Sequence, residues 1–458
     1  MAKKKQIELT IEEKLQNALV PKEEQPYKIP NNWCWVRLGN ITQIKGGKRI
    51  PKGTSLLKEN TGYKYIRVTD MKNGTVLNDD IHYISKDIYN KISNYTISKN
   101  DIYITCAGTI GRVGIIPVEF DGANLTENAD KIIIKHINKN LLVKVLSSYI
   151  VQKQIQEVIT TGCQPKLAIK KIEQLKIPLP PINEQQRIVN RIESLFAKLD
   201  RAKELIENTL AQFEQNKMAI LHKAFTGELT AKWRKENNID LSSWQEKTVD
   251  ELCTSLKYGT SKKSNPEGSV VVLRMGNLQN GEIDWSNLMY TDDKDDIEKY
   301  LLKKGDVLFN RTNSPELVGK TSIYRGEYPA IYAGYLIKLD YGKDIIGEYL
   351  NYMMNSTKAK HYCYTVKTDG VSQSNINAKK IGAFEIPVPT IEEQQEIVNI
   401  LDRLLAKYNK IKNLEQQLEK IELLKKAILA KAFRGELGTN NPDEESAENL
   451  LKEILAEK

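Results

Sequence analysis

Two short stretches carry cations around glycine, an arrangement suited to holding phosphate. "IKGGKRIPKG" holds Lys45, Lys48, Arg49 and Lys52, and "LKYGTSKKSN" holds Lys257, Tyr258, Lys262 and Lys263. Basic groups beside a permissive backbone can neutralise phosphate oxygens, and a solvated basic turn has the same composition. Other chemistry is harder to place. "SPELVGKT" (Ser314 to Thr321) approaches the phosphate-loop pattern G-x-x-x-x-G-K-S/T, with "DVLFN" before it. It begins with Ser314 instead of glycine, and no long helix evidently follows. "DDKDD" (Asp292 to Asp296) reads as a solvated turn rather than a nuclease acid cluster. Cys34, Cys106, Cys163, Cys253 and Cys363 form no C-x-x-C pair, and four histidines are too few to complete metal sites with them. Packed, reduced thiols are expected.

The elements that must position these loops come twice. "IPLPPINEQQRIV" begins at Ile177 and "IPVPTIEEQQEIV" at Ile386. After each, apolar residues follow a heptad seam until "KAFTGEL" (from Lys223) or "KAFRGEL" (from Lys431). The first seam takes Ile188, Ile192, Leu195, Leu199, Ala202, Ile206, Phe213 and Ile220, with Thr209 and Asn216 between them. The second takes Ile397, Leu401, Leu404, Tyr408, Ile411, Leu414, Leu418 or Gln417, Ile421, Leu424 and Ile428. Steps of three and four residues along a narrow apolar stripe are those of a coiled coil. Asn183 with Gln186, and Thr390 with Glu393, are expected to cap the helix starts, and Gly227 and Gly435 to end them. The prolines of I-P-x-P are expected to end each globule and set the exit angle of its helix.

Shorter phrases ahead of each helix also correspond, among them "YKYIRVTDMKNG" with "VVVLRMGNLQNG" and "KNDIYITCAGTIGRVGI" with "KGDVLFNRTNSPELVGKTSI". Short β-branched runs between Gly, Asn and Asp predict strands, with helical stretches at 141–159 and 345–360. The fold class is therefore α+β. Two pseudo-repeated α+β domains, 27–180 and 241–387, are separated by two long helices, 181–240 and 388–438, that form an antiparallel coiled coil. A helical segment (1–26) precedes them and a tail with a short helix (439–458) follows. Ile11, Leu15, Ala18 and Leu19 in the first, and Ala447, Leu450, Leu451, Ile454 and Leu455 in the second, form apolar faces expected to dock on a partner or on each other.

The net charge is +9, which favours a polyanionic partner without proving one. No apolar run is long enough to span a membrane, and the basic start "MAKKKQIELT" lacks the apolar region of a signal peptide. A cytoplasmic protein without a membrane partner is expected.

The repeated hinge-and-helix phrases, the KAFxGEL ends, "YIRVTDMKNG" and "KGDVLFNRTNS" together resemble the specificity subunit of Type I restriction–modification systems, over nearly the whole chain. That resemblance implies two target recognition domains, each reading half of a split double-stranded DNA site, and two helical spacers that set their separation. It implies two modification subunits that carry S-adenosylmethionine and methylate adenine at N6, and restriction subunits that use ATP and Mg. The chain itself is then not an enzyme and binds no cofactor or metal. Its one Pro-Pro pair, Pro180-Pro181, is followed by Ile182, not by the aromatic residue of an adenine-methyltransferase loop. The rival classes are a single-chain DNA-binding nuclease or ATPase, and a coiled-coil interaction protein that does not bind DNA.

For a DNA reader, the two basic loops are the candidate phosphate contacts, since both occupy the same place in their half. Candidate base readers in the first half are Arg67, Asp70, Lys72, Asn73, Thr105, Arg112, Gln164 and Lys166. In the second they are Arg274, Asn277, Gln279, Asn310, Arg311, Asn313, Gln373, Ser374 and Asn375. Arg67 and Arg274 align, which points to a phosphate or structural part for both. Residues that differ between the halves, such as 310–313 against 105–108, are better placed to read different bases.

Overall fold

The computed structural model describes residues 10–159, 165–406 and 412–457. They fall into two compact units, Met1–Leu205 with Gln417–Lys458, and Ile206–Gln416. Neither unit is one sequence repeat. Each combines a lobe, the start of the helix that leaves that lobe, and the end of the other long helix.

Both lobes share one framework. In the first, Thr42–Gly46, Ala129–Ile134, Ile102–Thr105 and Val113–Ile115 lie side by side as an antiparallel sheet. In the second, Cys253–Tyr258, Leu336–Tyr341, Val307–Asn310 and Thr321–Ile323 do the same. A smaller sheet accompanies each, with one parallel pairing: Lys64–Ile66 beside Ala123–Leu125, and Val270–Leu273 beside Ala330–Tyr332. A tight hairpin follows, turning at Asn73-Gly74 (φ 53° and 73°) and at Asn280-Gly281 (φ 54° and 87°). Asn-Gly tolerates these left-handed angles, and they match the twist of paired strands. The helical stretches are each broken in two: Lys139–Leu146 and Tyr149–Val158, then Gly347–Met354 and Thr357–Val366. Ser148 and Ser356 begin the second member of each pair.

The hinge differs from its sequence reading. Pro178 and Pro387 do not end a strand but lie within one: Lys176–Leu179 pairs with Cys34–Arg37, and Glu385–Val388 with Gln245–Thr248. A two-stranded sheet has only edge strands, where a missing N–H is tolerated. The helix then runs from Ile182 to Phe225, 44 residues, or about 66 Å. It starts before the expected cap: Glu184 and Gln185 donate their backbone N–H to Pro181 O, so Asn183 lies inside the helix. Thr390 does cap its helix, accepting from Glu393 N at 3.4 Å. Gly227 and Gly435 adopt φ 82° and 75° just past the helix ends, and a Cβ would meet Leu241 or Pro30 at 2.5 or 2.3 Å.

In the first unit, Asp200 pairs with Lys425 (2.5 Å) and Lys203 with Glu422 (3.9 Å). Partner numbers fall as helix numbers rise, so these segments run antiparallel. The second long helix is described as Ile391–Ala406 and Lys412–Ala432; the seam residues Tyr408 and Ile411 lie outside the described residues. Ile188, Ile192, Ile397, Leu401 and Ile421 are buried, as a seam requires. Asn216, Gln417 and Leu424 are exposed, so the seam passes them by.

The E-Q-Q phrase does more than begin a helix. Glu184 is fully buried and accepts from Trp33 Nε1 (2.7 Å), Thr439 Oγ1 (2.9 Å) and Asn440 Nδ2 (2.9 Å). Glu393 is equally buried and accepts from Trp244 Nε1 (3.0 Å), Thr230 Oγ1 (2.6 Å) and Arg234 Nη1 (2.5 Å). Each carboxylate thus ties a lobe's tryptophan to the segment that follows the other long helix. Charge-assisted bonds of this kind offset the cost of burying the carboxylate. Gln185 and Gln394 finish the joint. Each donates to the carbonyl of a hinge proline, Pro180 or Pro389, and accepts from the backbone N–H of Asn138 or Ile346.

The terminal helices Ile11–Ala18 and Ala447–Ala456 pack on each other. Leu15 and Ala18 share a core with Ala447, Leu450, Leu451, Ile454 and Leu455. Among the described residues no helix is long and apolar enough to cross a membrane.

Candidate nucleic-acid interface

In each lobe four loops meet at one edge of the larger sheet. In the first they are the basic loop after Gly46, the 106–112 loop, the 126–128 turn and the segment at 165–168. Gly47 N donates to Ala129 O, Lys48 N to Leu125 O, Cys106 N to Asn128 O, and Leu167 N to Cys106 O. The second lobe repeats this with the loop after Tyr258, the loop from Arg311, the 333–335 turn and the segment at 370–377. Thr260 N donates to Tyr332 O, Arg311 N to Tyr335 O, and Ile376 N to Arg311 O.

The glycines of the basic loops serve this packing. A Cβ on Gly47 would lie 2.0 Å from Thr126 O, and one on Gly259 2.1 Å from Tyr332 O. Only glycine lets backbone approach backbone so closely. The cations around them differ. Lys45 and Lys52 are exposed; Lys48 lies over the Tyr95 ring at 5.5 Å; Arg49 pairs with Glu127 at 2.5 Å. In the second lobe Lys257 pairs with Asp340 (2.8 Å) and Lys262 with Asp293 (2.7 Å), while Lys263 is exposed. Asp293 also caps the helix Lys294–Tyr300, and buried Asp296 accepts from Thr260. The "DDKDD" run is therefore a helix start rather than a solvated turn.

Several candidate base readers are committed inside the protein. Thr105 is buried, its hydroxyl donating to Thr109 O and accepting from Arg112 N. Asn310 is buried and bonds Met275 O and Thr312 N. Asn277 is buried, accepting from Arg274 N and donating to Asp284 O. Ser374 is buried and donates to Asp369. Arg67 is held by Asp70 (2.7 Å) and Asp80 (3.1 Å), and Asp70 itself is buried. Arg274 is likewise tied to Asn287. These seven side chains hold loops in place: for Arg67 and Arg274 that is the structural part their alignment pointed to, and Asp70, Thr105, Asn277, Asn310 and Ser374, unlike their reading as base readers, are bonded within the protein.

Others are gathered where a ligand could meet them. Lys72, Asn73 and Arg112 line a cavity of about 580 Å³ with Tyr103, Ser147 and Gln152. At the matching place in the second lobe Lys320 donates to Gln279 (2.9 Å), and Asn351 to Gly281 O (2.9 Å), so that hairpin is tied down. Lys166 is exposed and bridges to Ala107. Gln164 lies outside the described residues, as does Cys163. In the second lobe Arg311 stacks over Tyr258 at 4.8 Å and donates to Asn375 Oδ1 (3.3 Å). Tyr258 OH accepts from Ala378 N, and Asn375 Nδ2 donates to Thr312 Oγ1 (2.8 Å). Asn313 accepts from Ser314 N, and Gln373 is exposed.

Two acids in these sheets have shifted ionisation. Asp130, beside Cys106 and Lys166, is pushed up to about 6 by burial, against the lowering effect of both neighbours. Asp340 is also raised by burial, but bonds from Lys257, Lys338 and Ser255 outweigh that and hold it near 2. Asp130 carries no local signal along the chain: it is an acid in an apolar strand, and its counterpart in the other lobe is Ile337.

"SPELVGKT" leads into the strand Thr321–Ile323 rather than a helix, so no helix N-terminus faces its loop. Among the described residues no group of three His, Cys, Asp or Glu is placed to hold a metal ion.

The chain matches a family model described as the Type I restriction modification DNA specificity domain twice, over residues 30–212 and 242–423. It is 26% identical over 457 residues to the Type I restriction enzyme EcoKI specificity subunit of Escherichia coli K12, covering 94% of this chain and 96% of that one. The EcoBI specificity subunit of Escherichia coli is 34% identical over 213 residues, 46% of this chain and 44% of the relative. Among solved structures, a chain from a study of complex assembly and conformational transition of the type I R-M system superposes with a TM-score of 0.67 at 19% identity, covering 90% of this chain and all 100% of that one. The HsdS subunit from Thermoanaerobacter tengcongensis follows at 0.53 and 20%, covering 90% and 99%.

Proposed function

We infer that this chain, which belongs to the Type I restriction modification DNA specificity family and is a DNA-recognition subunit, reads a bipartite and asymmetric site, one half per lobe. One observation carries this reading: the lobes keep the same strand framework and backbone bonds while their loop edges carry different side chains. A shared frame with unlike readers fits two unlike half-sites. The exposed cations supply sequence-independent attraction to phosphate, and the side chains at the loop edges supply choice.

The partners follow the same logic. Two long helices, each leaving a lobe through the same glutamate joint, offer two equivalent surfaces for two modification subunits. Those subunits would carry S-adenosylmethionine and methylate adenine at N6, and restriction subunits would add ATP- and Mg-dependent cleavage. The chain itself contributes recognition without catalysis, in the cytoplasm. Purified alone, it should neither methylate nor cut DNA.

Replacing residues 241–387 with the corresponding lobe of another family member tests the reading. Mapping methylated adenines in a host carrying the complex should show one half-site changed and the other kept. A continuous palindromic site, or a change in both halves, would overturn it.

A further inference from the structure

At the loop end of its larger sheet the second lobe carries a short hairpin. Thr368–Asp369 and Ser374–Asn375 pair as a hairpin, and Thr312–Asn313 adds a third strand beside Ser374–Asn375. At the matching place in the first lobe the described residues show an isolated bridge, Ala107 to Lys166. The hairpin closes tightly: Gly370 N donates to Gln373 O at 2.8 Å, leaving Val371 and Ser372 as the turn. Val371 is fully exposed, and Gln373 is exposed beside it.

A hairpin this short does not hold itself together in water. This one is stapled at its base. Asp369 pairs with Lys367 (2.5 Å) and accepts from Ser374. Lys380 Nζ donates to Thr368 Oγ1 (2.7 Å), and Asn375 is bonded to both Thr312 and Arg311. These bonds hold rigid a turn that presents one apolar and one amide side chain to solvent. Val371 is fully exposed and so available to an outside contact.

We propose that the Val371–Gln373 tip enters the major groove of the second half-site and reads A·T pairs, Val371 against the thymine methyl and Gln373 against adenine. The proposal rests on the second lobe being a DNA reader. The major groove, about 12 Å wide, admits a two-stranded ribbon. The thymine methyl is the apolar group on a major-groove edge, and a glutamine amide can bond adenine N6 and N7 together. Arg311, stacked on Tyr258 at the hairpin's base, supplies positive charge where the ribbon meets the backbone.

The test uses the complex assembled from full-length chains. Methylated sites are mapped for the wild type, Val371→Ser and Gln373→Ala, and duplexes with deoxyuridine for thymidine at single positions are compared in binding. Gln373→Ala should lose preference at one A·T pair by roughly 5- to 150-fold. At one position the wild type should bind the deoxyuridine duplex more weakly than the thymidine duplex, and Val371→Ser should not distinguish the two. An intact first half-site in both variants shows that they fold. Unchanged second half-sites in both variants, while the lobe exchange at 241–387 still moves that half-site, overturn the tip alone. A lobe exchange that moves neither half-site overturns the DNA-reading lobe itself.

Discussion

Cys106 and Arg311 occupy the same place in two lobes. Each donates its N–H to a turn carbonyl, Asn128 O or Tyr335 O, and accepts from Leu167 N or Ile376 N. Their side chains could hardly differ more. Cys106 is buried, and burial pushes its thiol up to about 12. Arg311 lies over a tyrosine and bonds an asparagine on the next strand. Two backbone hydrogen bonds define each place, and they make no demand on the side chain beyond its fit. A framework held by backbone groups leaves its edge free to vary, which suits a molecule whose two halves must recognise different things.

The joint is the opposite case, because there the side chains are the framework, and breaking it should have the largest effect. Glu393→Ala removes the acceptor of buried Arg234 and should cost about 3–5 kcal/mol, since a buried charge is left without its partner. Glu184→Ala leaves no buried cation behind. It orphans Trp33 Nε1 and Thr439 Oγ1, while Asn440 Nδ2 keeps its bond to Asn32 Oδ1, and should cost about 1.5–3 kcal/mol. Thermal melts of both variants check the order. Equal losses would mean that Arg234 contributes nothing beyond what Asn440 does at the first joint.

pH should separate the lobes next. Asp130 titrates near 6 when folded and near 3.9 when unfolded, so the unfolded chain holds the fewer protons between those values. Its cost to the first lobe is therefore full at pH 7, at most about 3 kcal/mol, and disappears as pH falls from 6 to 4. Asp340 has the opposite sign. Its folded value near 2 lies below the unfolded one, so its contribution is present above pH 4 and lost as pH falls toward 2. Asp130→Asn should raise the melting temperature at pH 7 and lose about half of that gain at pH 5. A gain of the same size at both pH values would mean that Asp130 is not the group titrating near 6.

Periodicity and repetition made the frame legible. The heptad seam, the two lobes and the helix-ending glycines can all be read along the chain, because each depends on residues close in sequence. The joint could not be read that way. Glu184 meets Thr439, and Glu393 meets Trp244, across long separations, so E-Q-Q reads locally as a helix start. The candidate site was legible as a set of loops but not as side chains. Polar residues in strand-ending phrases look alike whether they face solvent, as Gln373 does, or bond the adjoining turn, as Thr105 and Asn310 do. Val371 carries no such mark, because exposure is not written in the residue type.

The smallest effect concerns Lys45 and Lys257, which face equivalent strand positions across from Lys131 and Lys338. Lys257 is paired with Asp340 at 2.8 Å, whereas no such pair holds Lys45 among the described residues. A cation already neutralised by a carboxylate displaces little condensed counterion when DNA arrives, because its partner must be given up first. Lys45→Ala should therefore lower the slope of log K against log salt by about 1, and Lys257→Ala by distinctly less. Neither should change which sequence is bound, since phosphate carries no base identity. Binding isotherms of the assembled complex at several salt concentrations measure both slopes. Equal drops would show that Asp340 releases Lys257 to the phosphate and turns to Lys338, already 2.8 Å away. In that case the two basic loops would act alike on DNA, and the difference between the lobes would lie wholly in the side chains at their loop edges.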